Sequence, residues 1–238
     1  MPLTHHLLAG AVVTVGALLQ GSVGFGLGMF SVPFLVMIDT RFVPGPLLCS
    51  SIALTLLLTQ REWHAVRVAE LKWAVVGRVF GIGAAMAALL VVPERQIGLM
   101  FGVLVLAAVL LSASGLRVRV TARSLMGAGV LSGFMGTAVS IGGPPMALLY
   151  QHESGSRIRG NLSAFFMVGV SMSLVGLHFV GMFGLREFLI ALSLLPGVLL
   201  GYTVSRFTAG ILDRGYIRAG VLWVSAASAL AVLIRELL

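Results

Sequence analysis

Apolar runs, cut by short charged or Gly/Pro-rich segments, fill the chain from end to end. Residues 3–37 form the first run, interrupted by Gly21, Gly24, Gly26, Gly28 and Pro33. Further runs cover 46–58, 71–91, 97–111, 125–150, 162–183, 188–204 and 217–234. Arg61-Glu62-Trp63-His64 closes the second, Val92-Pro93-Glu94-Arg95 closes the third, and Arg117, Arg119 and Arg123 follow the fourth. The fifth is broken at Gly142-Gly143-Pro144-Pro145. A helix needs roughly 20 apolar residues to cross the hydrocarbon core. The pattern therefore predicts an all-α polytopic membrane protein: one transmembrane domain over 1–238, about eight transmembrane helices, helices 1 and 5 broken.

The runs also repeat. Gly21-Ser22-Val23-Gly24 has a counterpart in Gly133-Phe134-Met135-Gly136, and Gly77 and Gly81 match Gly197 and Gly201. Glu94-Arg95-Gln96-Ile97 resembles Asp213-Arg214-Gly215-Tyr216, and Gly102-Val103-Leu104 resembles Gly220-Val221-Leu222. The separations lie near 112 to 120 residues. Ordered matches at one offset predict two four-helix repeats, 1–114 and 124–238, joined by a linker at 115–123. Fully crossing units would be parallel; broken elements that dip in and return would make the halves inverted.

Composition narrows the solvent. Apolar residues make up 58% of the 238 and charged residues 10%, with mean hydropathy +1.06. Soluble domains carry about 25% charge, and a soluble fold of this size could not hide so much apolar surface. The net charge of +8 sits in short loops and forms no continuous stripe, which argues against nucleic acid. The first run lacks a positive leader and an Ala-x-Ala cleavage site, so it is expected to be retained. These features predict a multi-pass protein of the cell inner membrane, in contact with lipid. With eight full crossings the basic loop residues divide eight against seven between the faces, and two clusters tilt toward termini inside.

A helix interrupted at membrane depth frees backbone groups that hydrocarbon cannot satisfy, so such breaks line protein or a wet cavity. Pro144 and Pro145 remove two donors and suit the first turn of a restarted helix. Its N-terminus would aim amides and a partial positive charge at whatever precedes it. Gly142 and Gly143 permit close approach of a ligand, with Thr137 and Ser140 adding hydroxyls. In the first half Gly24, Gly26 and Gly28 form the break, Pro33 is expected to help restart the helix, and Gln20 and Ser22 are its polar neighbours. Matching breaks point to a midplane substrate site. Glycines alone also serve close helix packing, which suits Gly77/Gly81 and Gly197/Gly201. Gly24-Phe25-Gly26 is no dinucleotide loop, because no strand precedes it.

The pattern of Gly24 to Pro33 and that of Gly133-x-x-Gly136 with Gly142-Gly143-Pro144-Pro145 resemble the two halves of the TauE/SafE family of sulfite and organosulfonate exporters. The opening of the sixth run, Arg159-Gly160-Asn161-Leu162-Ser163-Ala164-Phe165-Phe166, is similar as well. Leu27 separates glycines that are often contiguous in the family. The resemblance implies export of small sulfur-containing or carboxylate anions, sulfite, sulfonates or sulfoacetate among them.

Few cations are available to hold such an anion. Arg78 lies about six residues into the third run and either snorkels to the interface or lies on the anion path. Arg159 either receives an anion leaving the second break or anchors to headgroups, and Asn161 and Tyr150 are neutral donors nearby. No histidine pair has metal-ligand spacing, and Cys49 stands alone, so neither metal nor cofactor is expected. No Ser/His or Asp/Asp pair falls inside the runs, so an enzyme is not expected. No acid lies deep in a run, which suits uniport by alternating access. A Gly/Pro-lined anion channel is the rival, and a homo-oligomer is left open.

Overall fold

A computed structural model describes residues 1–93, 96–116 and 118–212. Among the described residues the helices are α1 (Leu3–Val23), α2 (Leu27–Ile38), α3 (Gly45–Arg61), α4 (Val68–Val91), α5 (Ile97–Ala113), α6 (Ala122–Val139), α7 (Gly143–Tyr150), α8 (Gly155–Phe179) and α9 (Leu185–Leu212). Single 3-10 turns cover Thr40–Phe42 and Trp63–Ala65. Four stretches are long and apolar enough to cross a membrane: Leu3–Val23, Val68–Val91, Gly155–Phe179 and Leu185–Ala209. The expected eighth span, 217–234, lies outside the described residues.

Both breaks fall where the glycines and prolines put them, but their limbs fold back instead of continuing. α1 stops at Gly24, whose φ of 99° is left-handed and whose N–H donates to the Gln20 carbonyl at 2.8 Å. Gly26 follows at φ 137°, so two residues that tolerate positive φ make the turn. α2 then runs antiparallel to α1. The Ser31 hydroxyl donates to the Val12 carbonyl at 3.5 Å, and the His5 ring stands 3.7 Å from the Asp39 carboxylate. The hairpin's two ends thus share one face, here the N-terminal face. Arg41 holds the Asp39 carboxyl down at about 2, below the usual carboxylate range. Pro33 lies well inside α2, not at its start, so it does not restart the helix as expected. Because Pro33 has no N–H, it leaves the Met29 carbonyl without its intrahelical donor.

The second hairpin is built alike and opens the other way. α6 ends at Ser140, φ 60°, the one non-glycine in the left-handed region among the described residues. The Ser132 hydroxyl donates to the Gly142 carbonyl at 2.6 Å, tying the turn back to α6. α7 carries the chain away again, and the Tyr150 hydroxyl donates to Glu70, near the start of α4, at 3.3 Å.

Small residues fix the directions. A Cβ on Gly77 would strike the Met126 carbonyl, one on Gly81 the Val130 carbonyl, and one on Gly129 the Ala74 carbonyl. Numbers rise together on both helices, so α4 and α6 run parallel in near backbone contact. Gly197 meets Gly10 and Gly201 meets Thr14 in the same manner, making α9 parallel to α1. α3 climbs from Gly45, against Phe183, to Arg61, whose Nη2 donates to the Gly21 carbonyl at 2.6 Å. α8 runs opposite to it, bringing Gly169 and then Gly176 along α4 at Arg78 and Met86. α4 therefore starts at the face opposite the N-terminus, and so does α6. The first hairpin opens at the N-terminal face and the second at the opposite one.

Two glycine contacts can be checked directly. Gly77→Ala and Gly197→Ala must push a backbone aside, and each is expected to cost about 1–3 kcal/mol. Gly83→Ala, with open space around it, is expected to be neutral or stabilising by up to about 1 kcal/mol through helix propensity. Thermal unfolding of the detergent-solubilised variants reads the contrast.

Candidate functional site: the cavity between two helix breaks

The two hairpin tips touch. A Cβ on Gly28 would strike the Ser140 carbonyl, and one on Gly143 would lie 2.9 Å from the Phe25 Cβ. Beside this contact lies a cavity of about 40 Å³. Since one water occupies roughly 10–15 Å³ on this measure, it has room for about three waters or one small oxyanion. Its walls come from both breaks, from α3 and α8, and from one residue of α4.

Eight residues expected from the sequence line it: Gln20, Gly26, Gly28, Ser140, Gly142, Gly143, Pro144 and Arg78. At the start of α2 the first-turn amides have no intrahelical acceptor. The Gln20 side-chain carbonyl takes the Leu27 amide at 3.3 Å, leaving those of Gly28 and Met29 along the cavity wall. α7 offers less. Pro144 and Pro145 carry no N–H, so only the Gly142 and Gly143 amides remain there.

Arg78 does not snorkel. It is 1% exposed, and its guanidinium lies over the rings of Phe165 and Phe166, at 4.9 and 5.9 Å from their centres. Nη1 donates to the Ser132 hydroxyl at 3.3 Å, which links the cation through Ser132 to the Gly142 carbonyl. Nε is buried with no hydrogen-bond partner, and none of the ion pairs among the described residues includes Arg78. Burying a cation without a counter-charge costs several kcal/mol, and cation–π contact returns at most about 2. The position is expensive unless an anion visits it.

The other expected residues stand back from the cavity. Pro145 is buried within α7. Thr137 bonds Ser173 at 2.8 Å, and Asn161 accepts the Arg67 amide at 2.7 Å. The Ser22 hydroxyl meets Thr208 at 3.1 Å, and Gly24 abuts the backbone of Arg159. Arg159 is engaged elsewhere: Nε donates to Glu62 at 2.9 Å and Nη1 to the Ser22 carbonyl at 3.1 Å. Arg61 donates to the same Glu62 oxygen at 3.1 Å. Two cations thus cap the carbonyl end of α1, where the helix dipole is negative, and Glu62 joins them.

Ser51 and Thr55 on α3 also line the cavity and were missed. Their spacing of one helical turn in an otherwise apolar run was the available signal. Both hydroxyls donate to their own helix, to the Leu48 carbonyl at 2.7 Å and the Ile52 carbonyl at 3.0 Å.

The family model described as "Sulfite exporter TauE/SafE" matches residues 8–232, nearly the whole chain. This chain belongs to the TauE/SafE family. Comparison with curated proteins and with solved structures finds no match. As a TauE/SafE protein it is a multi-pass membrane protein of a transporter family, consistent with its apolar helices.

Glu62 offers a test of the capping cluster. Replacing it with Ala removes the carboxylate that Arg61 and the buried Arg159 share, and the loss is expected to be about 3 kcal/mol. A melting temperature unchanged from wild type would show that Glu62 does not hold the cluster together.

Proposed function

We propose that this chain is a secondary transporter, an exporter by direction, of small sulfur-containing or organic anions such as sulfite, sulfonates or sulfoacetate. The anion occupies the cavity between the breaks. Arg78 supplies the charge, the amides of Gly28, Met29 and Gly143 with the Gln20 side chain supply directed donors, and the Ser51 and Thr55 hydroxyls join them by turning away from the Leu48 and Ile52 carbonyls. The observation that carries this reading is the buried guanidinium of Arg78, unpaired by any acid among the described residues, at the point where both breaks converge.

The proposed architecture is two repeats, 1–114 and 124–238, of inverted topology. Three observations support it: hairpins entering from opposite faces, the left-handed terminations at Gly24 and Ser140, and equivalent glycine contacts of α4 with α6 and α9 with α1. Alternating access would rock one pair of elements against the other around the tips. The narrowness of the cavity between the tips favours a carrier over a continuous pore. Export of a monovalent anion down a negative-inside potential gains about 2.3 kcal/mol per 100 mV, enough for uniport.

Orientation follows from the hairpins. Arg61, Arg67, Lys72, Arg119, Arg123, Arg157, Arg159 and Arg206 gather at the face opposite the N-terminus, with Glu62, Glu70 and Glu153. Among the described residues the N-terminal face has Arg41 and Arg186 against Asp39 and Glu187. The positive-inside tendency places the basic face in the cytoplasm of an inner-membrane protein, and hence the N-terminus outside.

In a thermal-shift series, sulfite or methanesulfonate is expected to stabilise the wild type, by about 2.7 kcal/mol at one hundred times Kd. Arg78→Gln is expected to abolish the shift while eluting as a folded monodisperse species, and Arg78→Lys to keep part of it. An undiminished response in Arg78→Gln would remove Arg78 from the site. For orientation, Thr40→Cys in a Cys49→Ala background should react with an impermeant maleimide on intact cells, and Arg123→Cys only after permeabilisation. The opposite pattern would reverse the orientation.

A further inference from the structure

We infer that the cavity takes one negative charge per cycle: of the anions named above its ligands are the monoanions, hydrogensulfite and simple sulfonates, and not doubly charged sulfoacetate, and the carrier is electrically neutral when loaded and carries a single positive charge when empty. This rests on the transporter reading above and specifies the charge of its substrate and the step that senses voltage.

Among the described residues Arg78 is the one formally charged side chain lining the cavity; no aspartate, glutamate, histidine or lysine of theirs joins it there, and the neutral Gln20 is their only other long polar side chain. The helix ends add little. α2 has one first-turn amide already taken by Gln20, and α7 has lost two donors to Pro144 and Pro145. A helix N-terminus is worth at most half a charge even when complete. A second negative charge would therefore enter a low-dielectric site without a partner.

The cation is also fixed in place. A Cβ on Gly169 would strike the Arg78 side chain, and Gly133, Gly136 and Gly142 crowd it from α6 and the second break. With Phe165 and Phe166 over the guanidinium, the side chain is enclosed on every side and has no open route to bulk solvent. Its charge stays with the site in every state. A monoanion cancels that charge, so the loaded site changes access without moving net charge through the field. The empty site must return with its positive charge, and a negative interior speeds that return after export.

The test uses wild-type protein in liposomes at mildly acidic pH, where sulfite is chiefly hydrogensulfite, with potassium diffusion potentials set by valinomycin and labelled methanesulfonate and sulfite as probes. Net efflux into anion-free medium is expected to rise at least about fivefold as the interior becomes strongly negative, the direction a full gating charge requires. One-for-one exchange, with the same anion on both sides, bypasses the empty return and is expected to change less than about twofold. Sulfate, a dianion of similar size, is expected to exchange poorly. Exchange as voltage-sensitive as net efflux, or sulfate exchanging as fast as methanesulfonate, would overturn the single-charge assignment while leaving transport intact. No protein-dependent flux of either labelled anion would overturn the transporter reading itself and this inference with it.

Discussion

A helix that ends inside a bilayer has amides or carbonyls with no water to satisfy them, and the rest of this structure is arranged around that constraint. The carbonyl end of α1 is closed by Arg61 and Arg159. The amide end of α2 is met in part by Gln20. The second break is tied down by Ser132 on its own helix and by the Ser140 hydroxyl, which donates to Pro44 at 3.0 Å. The Gly28, Met29 and Gly143 amides that no side chain meets lie along the cavity. The breaks are held open by specific side chains, and the surplus donors are gathered at one place.

Close packing makes this possible. The tips approach within backbone distance because Gly28 and Gly143 present no Cβ to Ser140 and Phe25. The flanking helices are brought in by the same means, Gly77 and Gly81 on α4 and Gly197 and Gly201 on α9. Lipid supplies no hydrophobic drive between helices, so van der Waals contact at small residues does much of the joining.

The location of both breaks was legible in the sequence, because glycine and proline state directly where a helix cannot continue. Seven of the residues chosen on that basis line the cavity, and Arg78, chosen for its charge, is the eighth. The direction of the chain after each break was not legible. A positive φ at Gly24 or Ser140 is a property of the folded turn, and composition cannot distinguish a kink from a reversal. That gap concealed the charge asymmetry: counting each broken run as one crossing put Arg157, Arg159 and Arg206 on the face opposite Arg61, whereas the hairpins bring them to the same face. Ser51 and Thr55 escaped because hydroxyls in an apolar helix commonly bond their own backbone, as these do. Arg159 looked available for the opposite reason: its partner Glu62 lies far away in sequence, and such pairing is invisible until α3 and α8 are packed.

The proposed duplication makes the chemistry of the cavity more informative than its shape. Gly77 and Gly197 stand in equivalent contacts, so Arg78 and the buried Val198 occupy matching positions on α4 and α9. Backbone breaks come from both halves, while the charge comes from one. α3 contributes hydroxyls at Ser51 and Thr55, and α8 faces them with Phe166 and Val170. Symmetric architecture suits a machine that must present the same site to two sides, since each half can exchange roles with the other. A second arginine at the matching position would bury another cation without a counter-charge and add the same several-kcal/mol penalty again. A lone cation, braced by aromatic rings and linked through Ser132 to the second break, keeps the empty site tolerable. It also leaves a charge deficit that a passing anion fills.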